Sequence, residues 1–318
     1  MNGELRVVTI NINNRCPFHC RHCSLGFSET YRGDKSRLDE RTLASIISGI
    51  DSEIYDMVLF AGGEPSLDVE LIRVGIQAAQ RSRLYSSVVT APVWAKNVER
   101  ALRFIEQVRG LNVLVLSYDD FHLEFLSRDD YRRAANAARL AGISPTFHVV
   151  YETEDDRERL ARDIEELGVA VHVNWARAIG VGNAVTLHRL GRVVVTSPDD
   201  IGRLPRTCVL GNALVDSEFT VHGCCWSATA DKSRLSQPAQ LSTLRSAFAE
   251  LEHRPTFRAI KAYGFIDALD SSSVQALTDR VHGEAFATEC DLCIAAMREG
   301  MDDVWQRLAR SALAESTG

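Results

Sequence analysis

The 318-residue chain is 45% hydrophobic and 25% charged, with a formal net charge of −7, which is ordinary for a folded globular protein. No apolar run approaches the roughly 18 residues of a membrane-crossing helix, the opening MNGELRVVTI lacks the order of a secretion signal, and no lysine–arginine cluster offers a surface for nucleic acid. A soluble, cytoplasmic protein without membrane or nucleic-acid partners is expected, and its eight cysteines are then expected as reduced thiols.

The first predicted strand is LRVVTINI (5–12), and the stretch NNRCPFHCRHCSLG (13–26) follows it directly. Cys16, Cys20 and Cys23 stand there in C-x3-C-x2-C spacing. Thiolates in threes and fours bind zinc or iron–sulfur clusters, and three protein ligands leave one position open for another molecule. His19 and His22 complete a zinc site by composition, although within this spacing they crowd a single tetrahedral ion.

A helical pattern (38–50) leads to the strand DMVLFAG (56–62), which runs into AGGEP (61–65). Helix (67–82), strand (86–91), helix (94–110) and strand (112–117) come next. The stretch SYDDFHLEF (117–125) then carries Asp119, His122 and Glu124, expected to point from a strand end toward a barrel mouth. Helix (128–142), strand (145–151), helix (155–168) and strand (169–176) complete the series, with Arg177 just beyond. Gly110, Gly142 and Gly168 each stand where a left-handed helix cap is expected.

Apolar strands alternating with helices imply a parallel sheet with right-handed crossovers. Six units fall short of the eight that close a full barrel, so an open doubly wound sheet and a partial barrel both fit. After about residue 200 the rhythm stops; turn chemistry, a hairpin-like stretch (213–225) and a helix-rich end follow. Two domains are predicted, 1–200 and 201–318. The second holds Cys208, Cys224, Cys225, Cys290 and Cys293, of which four thiolates suffice for a closed zinc site or a fully ligated cluster.

The three-cysteine motif after the first strand, with His22 as the aromatic residue before its last cysteine, resembles that of the radical S-adenosylmethionine (SAM) enzymes. GGEP at the end of the second strand strengthens the resemblance. It implies an α/β partial (β/α)6 barrel with a [4Fe-4S] cluster on Cys16, Cys20 and Cys23. SAM chelates the open iron there and is cleaved to a 5′-deoxyadenosyl radical, with flavodoxin or ferredoxin as reductant. SAM contacts are then expected from His22, Gly62, Gly63, Glu64, Pro65, Ser117 and Arg177, the two glycines being needed for close approach of the SAM amine.

The second cysteine group resembles the auxiliary-cluster module called twitch, a short relative of the SPASM domain. This implies a second [4Fe-4S] cluster on Cys208, Cys224, Cys290 and Cys293, with Cys225 spare as a hydrogen-atom donor. Asp119 and His122 are expected at the substrate. A short N-terminus and a modest negative charge suit a neutral or cationic small molecule. Similarity to aminocyclitol dehydrogenases and aminoglycoside epimerases implies an oxidoreductase acting on an amino sugar or aminocyclitol, by dehydrogenation before epimerisation. A peptide or protein maturase is the alternative.

Overall fold

The computed structural model describes residues 5–23, 37–177, 192–208, 213–215, 219–224, 236–237, 239–298 and 304–308. The chain divides into two compact units, Met1–Ala178 and Ile179–Gly318.

The first unit contains the alternating series. Its strands are β1 (Val7–Asn13), β2 (Met57–Gly62), β3 (Tyr85–Thr90), β4 (Val113–Ser117), β5 (Ser144–Tyr151) and β6 (His172–Arg177), all pairing in parallel and in sequence order. The crossovers carry α1 (Glu40–Ser48), α2 (Val69–Arg81), α3 (Val98–Gln107), α4 (Asp120–Leu123), α5 (Arg128–Leu140) and α6 (Glu154–Glu166). This is an α/β fold with an incomplete parallel barrel.

Pleating sorts the strand residues between two environments. Val8, Ile10 and Ile12 on β1, Val58 and Phe60 on β2, and Leu114 and Leu116 on β4 are fully buried. The alternate residues Thr9, Asn11, Val115, Ser117, Thr146 and His148 form a half-buried wall on the other face.

Helix starts follow local capping chemistry. Asp39, Asn97, Ser127 and Thr153 each accept a backbone N–H of the first turn, and Ser127 with Asp130 and Thr153 with Asp156 form capping boxes. The Asn97 cap starts α3 four residues later than the apolar pattern suggests. The predicted C-cap glycines Gly110, Gly142 and Gly168 have φ of +94°, +74° and +64°.

In the second unit, β7 (Val193–Val194) pairs antiparallel with β11 (Ala285–Phe286). That pairing ties residues 193–200 to the C-terminal part, so the division falls at 178/179 rather than at the predicted 200/201. After α7 (Pro198–Gly202), the predicted hairpin forms between β8 (Ala213–Val215) and β9 (Val221–His222), and β10 (Ser236–Gln237) adds to β9. The helices α8 (Leu244–His253), α9 (Pro255–Tyr263), α10 (Ser271–Arg280) and α11 (Glu289–Arg298) complete it. Among the described residues no helix is long and apolar enough to cross a membrane.

One helix glycine records how closely the layers meet. A Cβ on Gly75 of α2 would lie 2.5 Å from the Phe60 ring of β2, which is itself fully buried and cannot step aside. Gly75→Ala gains about 1 kcal/mol of helix propensity but overpacks the core by about 1–3 kcal/mol. A lower melting temperature is expected, partly restored by adding Phe60→Leu; an increase in the single variant would show that the layers have slack.

Candidate functional site

The loop after β1 carries the three-cysteine motif and has little regular structure of its own. It is held from two sides.

On the first side, β2 continues past its last ladder pair. Gly63 N donates to the Asn13 carbonyl at 2.8 Å, and Glu64 N donates to the Arg15 carbonyl at 2.6 Å. The buried Asn13 amide donates to Asp68 at 2.7 Å and to the Glu64 carbonyl at 3.2 Å, while Arg15 and Arg37 reach the same Asp68 at 3.1 and 3.2 Å. Glu64 is itself buried, and its carboxylate accepts from Ser66 N, Ser66 Oγ, Thr90 Oγ1 and Ala91 N. Burial pushes this carboxyl above its usual range, against the pull of those four donors.

On the second side, the segment after β4 is a platform under the loop. Phe18 stacks on Phe125 at 5.0 Å and His19 meets the same ring edge-on at 5.2 Å. Arg21 pairs with Glu124 at 2.6 Å and lies over Phe121, on which His22 also stacks at 4.3 Å. Asp119 caps α4, and its Oδ1 accepts both the backbone N–H of His122 at 3.0 Å and the ring Nδ1–H at 2.8 Å.

The electrostatics follow from this packing. Asp119 is fully buried among histidines; despite the cost of burial, His122 and His22 hold its carboxyl near 2. Burial alone would lower His122, but Asp119 and Cys20 together lift it to about 10. His22 lacks a bonded partner of that kind, lying 3.7 Å from Asp119, and burial lowers it to about 4. The Cys16 thiol is pushed up to about 12, first by burial and further by Glu64, Cys20 and Cys23. Three sulfurs that repel one another's charge, one buried and two half-buried, on a loop braced by two strand ends, are a donor set that gains from metal cations. An all-sulfur set of three suits an iron–sulfur cube with one iron left open.

Residues 10–164 match the model of the Radical SAM superfamily, and the three cysteines fall within the match. The chain carries a radical SAM domain.

A Bacillus subtilis (strain 168) protein, YydG, named for peptide biosynthesis, is 21% identical over 188 residues. That match takes in 57% of this chain, which thereby spans little more than half, 57%, of that relative's length. Among solved structures, anSMEcpe with bound AdoMet superimposes with a TM-score of 0.55 over 97% of both chains at 12% identity. BtrN, in complex with AdoMet and 2-DOIA, gives a TM-score of 0.42 at 13% identity, covering 84% of this chain and 89% of that one. The likeness to anSMEcpe is one of fold.

The residues of the radical SAM domain expected at SAM also have contacts within the chain. A Cβ on Gly62 would lie 2.3 Å from the Asn13 carbonyl oxygen, and one on Gly63 2.1 Å from that of Arg15. These glycines are required by the close approach of β2 to the cysteine loop, a contact inside the chain. Gly62 also has φ of +146°. Glu64 is fully engaged as a brace, and Pro65 opens a buried 3-10 turn, Pro65–Asp68. Asp119 and His122 stand beside His22, and Glu124 pairs with Arg21, both on the cysteine loop. Ser117 ends β4 opposite His148, with its carbonyl taken by Tyr131 Oη at 2.7 Å. Arg177 ends β6 opposite Tyr151.

In the second unit, Cys208, Cys224, Cys290 and Cys293 are brought together. Burial pushes the Cys293 thiol well above its usual range, and the charges of Cys224, Cys290 and Cys208 add to it. Glu289, buried, accepts from Thr207 N, Cys208 N and Ile266 N at 3.0, 3.1 and 2.9 Å. Thr207 Oγ1 donates to Cys290 Sγ at 3.2 Å. Cys225 lies outside the described residues.

The bracing residues Asn13, Asp68 and Glu289 were not read from the sequence. Glu289 had a visible signal, an acidic residue abutting the first cysteine of ECDLC (289–293).

Gly63→Val tests the packing reading. The side chain would strike main chain, which cannot give way cheaply, so a loss of about 2–4 kcal/mol is expected, read as a fall in melting temperature without any added ligand. Wild-type melting combined with weakened SAM binding would return these glycines to ligand contact.

Proposed function

We propose that this radical SAM domain takes a hydrogen atom from a carbon of a peptide substrate, using a [4Fe-4S] cluster on Cys16, Cys20 and Cys23. The observation that carries the proposal is the three-thiol loop locked onto GGEP within the matched domain. When bound, cluster and SAM together supply a 5′-deoxyadenosyl radical, which is strong enough to take hydrogen from an unactivated carbon. The peptide class is supported by the name of the Bacillus subtilis relative.

The second group fits an auxiliary cluster on Cys208, Cys224, Cys290 and Cys293, closed to substrate by four thiolates. The chain's own residues shape the reaction space: the polar wall residues Thr9, Asn11, Ser117, Thr146 and His148 face away from the buried strand face and orient what enters. SAM contact is assigned to the loop backbone around Gly62 and Gly63, with Ser117 and Arg177 at neighbouring strand ends. Cys225, next to a ligand of the second group, is assigned as hydrogen donor if the product is an epimer. Flavodoxin or ferredoxin is the expected reductant.

Anaerobic reconstitution with iron and sulfide should give a brown protein that cleaves SAM; a colourless zinc protein would eliminate the enzyme reading. Replacing Cys16, Cys20 and Cys23 by alanine should abolish cleavage yet keep about four irons per chain. Loss of all iron would sink the two-site assignment. Deuterium from a labelled peptide should appear in 5′-deoxyadenosine. Its appearance only from a labelled aminocyclitol would overturn the peptide class. A product lighter by two hydrogens marks dehydrogenation, whereas an inverted carbon carrying solvent deuterium, lost in Cys225→Ala, marks epimerisation.

A further inference from the structure

We propose that the half-buried face of the parallel sheet is a charge-excluding seat for an internal stretch of peptide, and that it selects a reacting residue with an uncharged side chain. The proposal deepens the peptide reading above and rests on it.

Strand register and pleating define that face. The fully buried face meets the helices: Phe60 packs against Gly75 of α2, and Phe147 lies edge-on to Tyr131 of α5 at 6.2 Å. The alternate residues share the opposite face. One rung across it is Thr9–Leu59–Ser87–Val113–Ser144, and a rung nearer the strand ends is Ser117–His148–Asn174. Asn11, opposite Ala61, stands one rung above Thr9.

What this face lacks is charge. From Val7 to Ala176 the six strands contain no Asp, Glu, Lys or Arg. Beyond the strand ends, Glu64 is held by its four donors, Asp119 by His122 and Arg21 by Glu124, so these charges are already taken. An ammonium or a carboxylate loses hydration against a half-buried wall, and that loss is recovered only where an opposite charge pairs with it. A free amino acid carries both ions and an aminocyclitol carries an ammonium. A residue inside a peptide is flanked by neutral amides instead.

What the face offers is hydrogen bonding that suits amides. A peptide amide presents a donor and an acceptor, and the Ser117 hydroxyl and the Asn174 side-chain amide each present both. His148, kept in the neutral range by burial against the pull of Asp119, adds one of each. Deeper on the same face, Ser87 Oγ is buried without a hydrogen-bond partner among the described residues, a further neutral group for a ligand to satisfy.

The test uses the reconstituted full chain with SAM and three pools of peptides, acetylated and amidated at their ends. Each pool has random flanks around a fully deuterated central valine, lysine or glutamate, and deuterium in 5′-deoxyadenosine is read. Transfer from the valine pool should exceed that from the lysine and glutamate pools about tenfold. Asn11→Asp adds one carboxylate to the face with almost no change of shape. Its lysine-to-valine ratio should rise about tenfold, and its glutamate-to-valine ratio should fall. Asn11→Ser, which adds no charge, should keep the wild-type ratios. Ratios are compared within one protein, so altered cluster reduction in a variant cancels. The wild-type pools decide even where Asn11→Asp fails to fold. Equal or greater transfer from a charged pool, an unchanged lysine-to-valine ratio in folded Asn11→Asp, or an equal rise in Asn11→Ser overturns the proposal alone. No transfer from any pool overturns the peptide reading and the proposal with it.

Discussion

Three thiols on a loop without regular structure keep their spacing only if neighbouring backbone holds them, and here two amide hydrogen bonds do so. Gly63 and Glu64 donate to Asn13 and Arg15, carrying the β1–β2 partnership beyond the end of the ladder and past the irregularity between Asn11 and Asn13. The approach is so close that only glycine fits at 62 and 63. Glu64 then reaches across to Thr90 and Ala91 at the end of β3, so the ends of three adjacent strands are fastened around one carboxylate. Buried carboxylates are costly unless their oxygens are satisfied, and the four donors to Glu64 provide that compensation.

A second buried charge organises the opposite side of the loop. Asp119 is compensated by His122 rather than shared equally among its histidine neighbours, because only His122 offers two donors at bonding distance. His22 and His148 remain in the neutral range, lowered chiefly by burial. One compensated pair costs less than several partly compensated charges in the same low-dielectric space. The asymmetry between His22 and His122 thus follows from a helix cap, a local feature, and not from a difference in burial.

Much of the first unit was legible because its signals are periodic. All six strands and the crossover helices appear within a few residues of their apolar patterns, and the cap glycines stand at the helix ends. The cysteine motif and GGEP were legible as chemistry, but their physical relation was not. The sequence does not show that Asn13 and Arg15 lie against Gly62 and Gly63, since that approach depends on strand register. The packing of the stretch 117–125 was less plain: Asp119 caps a short helix that sets His122 beside His22 and Glu124 against Arg21 of the cysteine loop. The D-x-x-H spacing, a cap residue followed three positions later by a donor, carried that information. In the second unit the four cysteines were legible as a set, while the domain boundary was not, because it depends on the long-range pairing of β7 with β11.

The two thiol sites share one construction. Glu64 and Glu289 are each buried, and each joins backbone segments far apart in the chain: the ends of β2 and β3 in one case, and residues 207–208 with residue 266 in the other. In both, the frame around the sulfurs is fastened by protein hydrogen bonds that involve no metal. A buried carboxylate that gathers several N–H groups holds those segments through charge-assisted bonds shielded from water, so at each group of thiols the placing of the backbone is set by the fold of the chain itself.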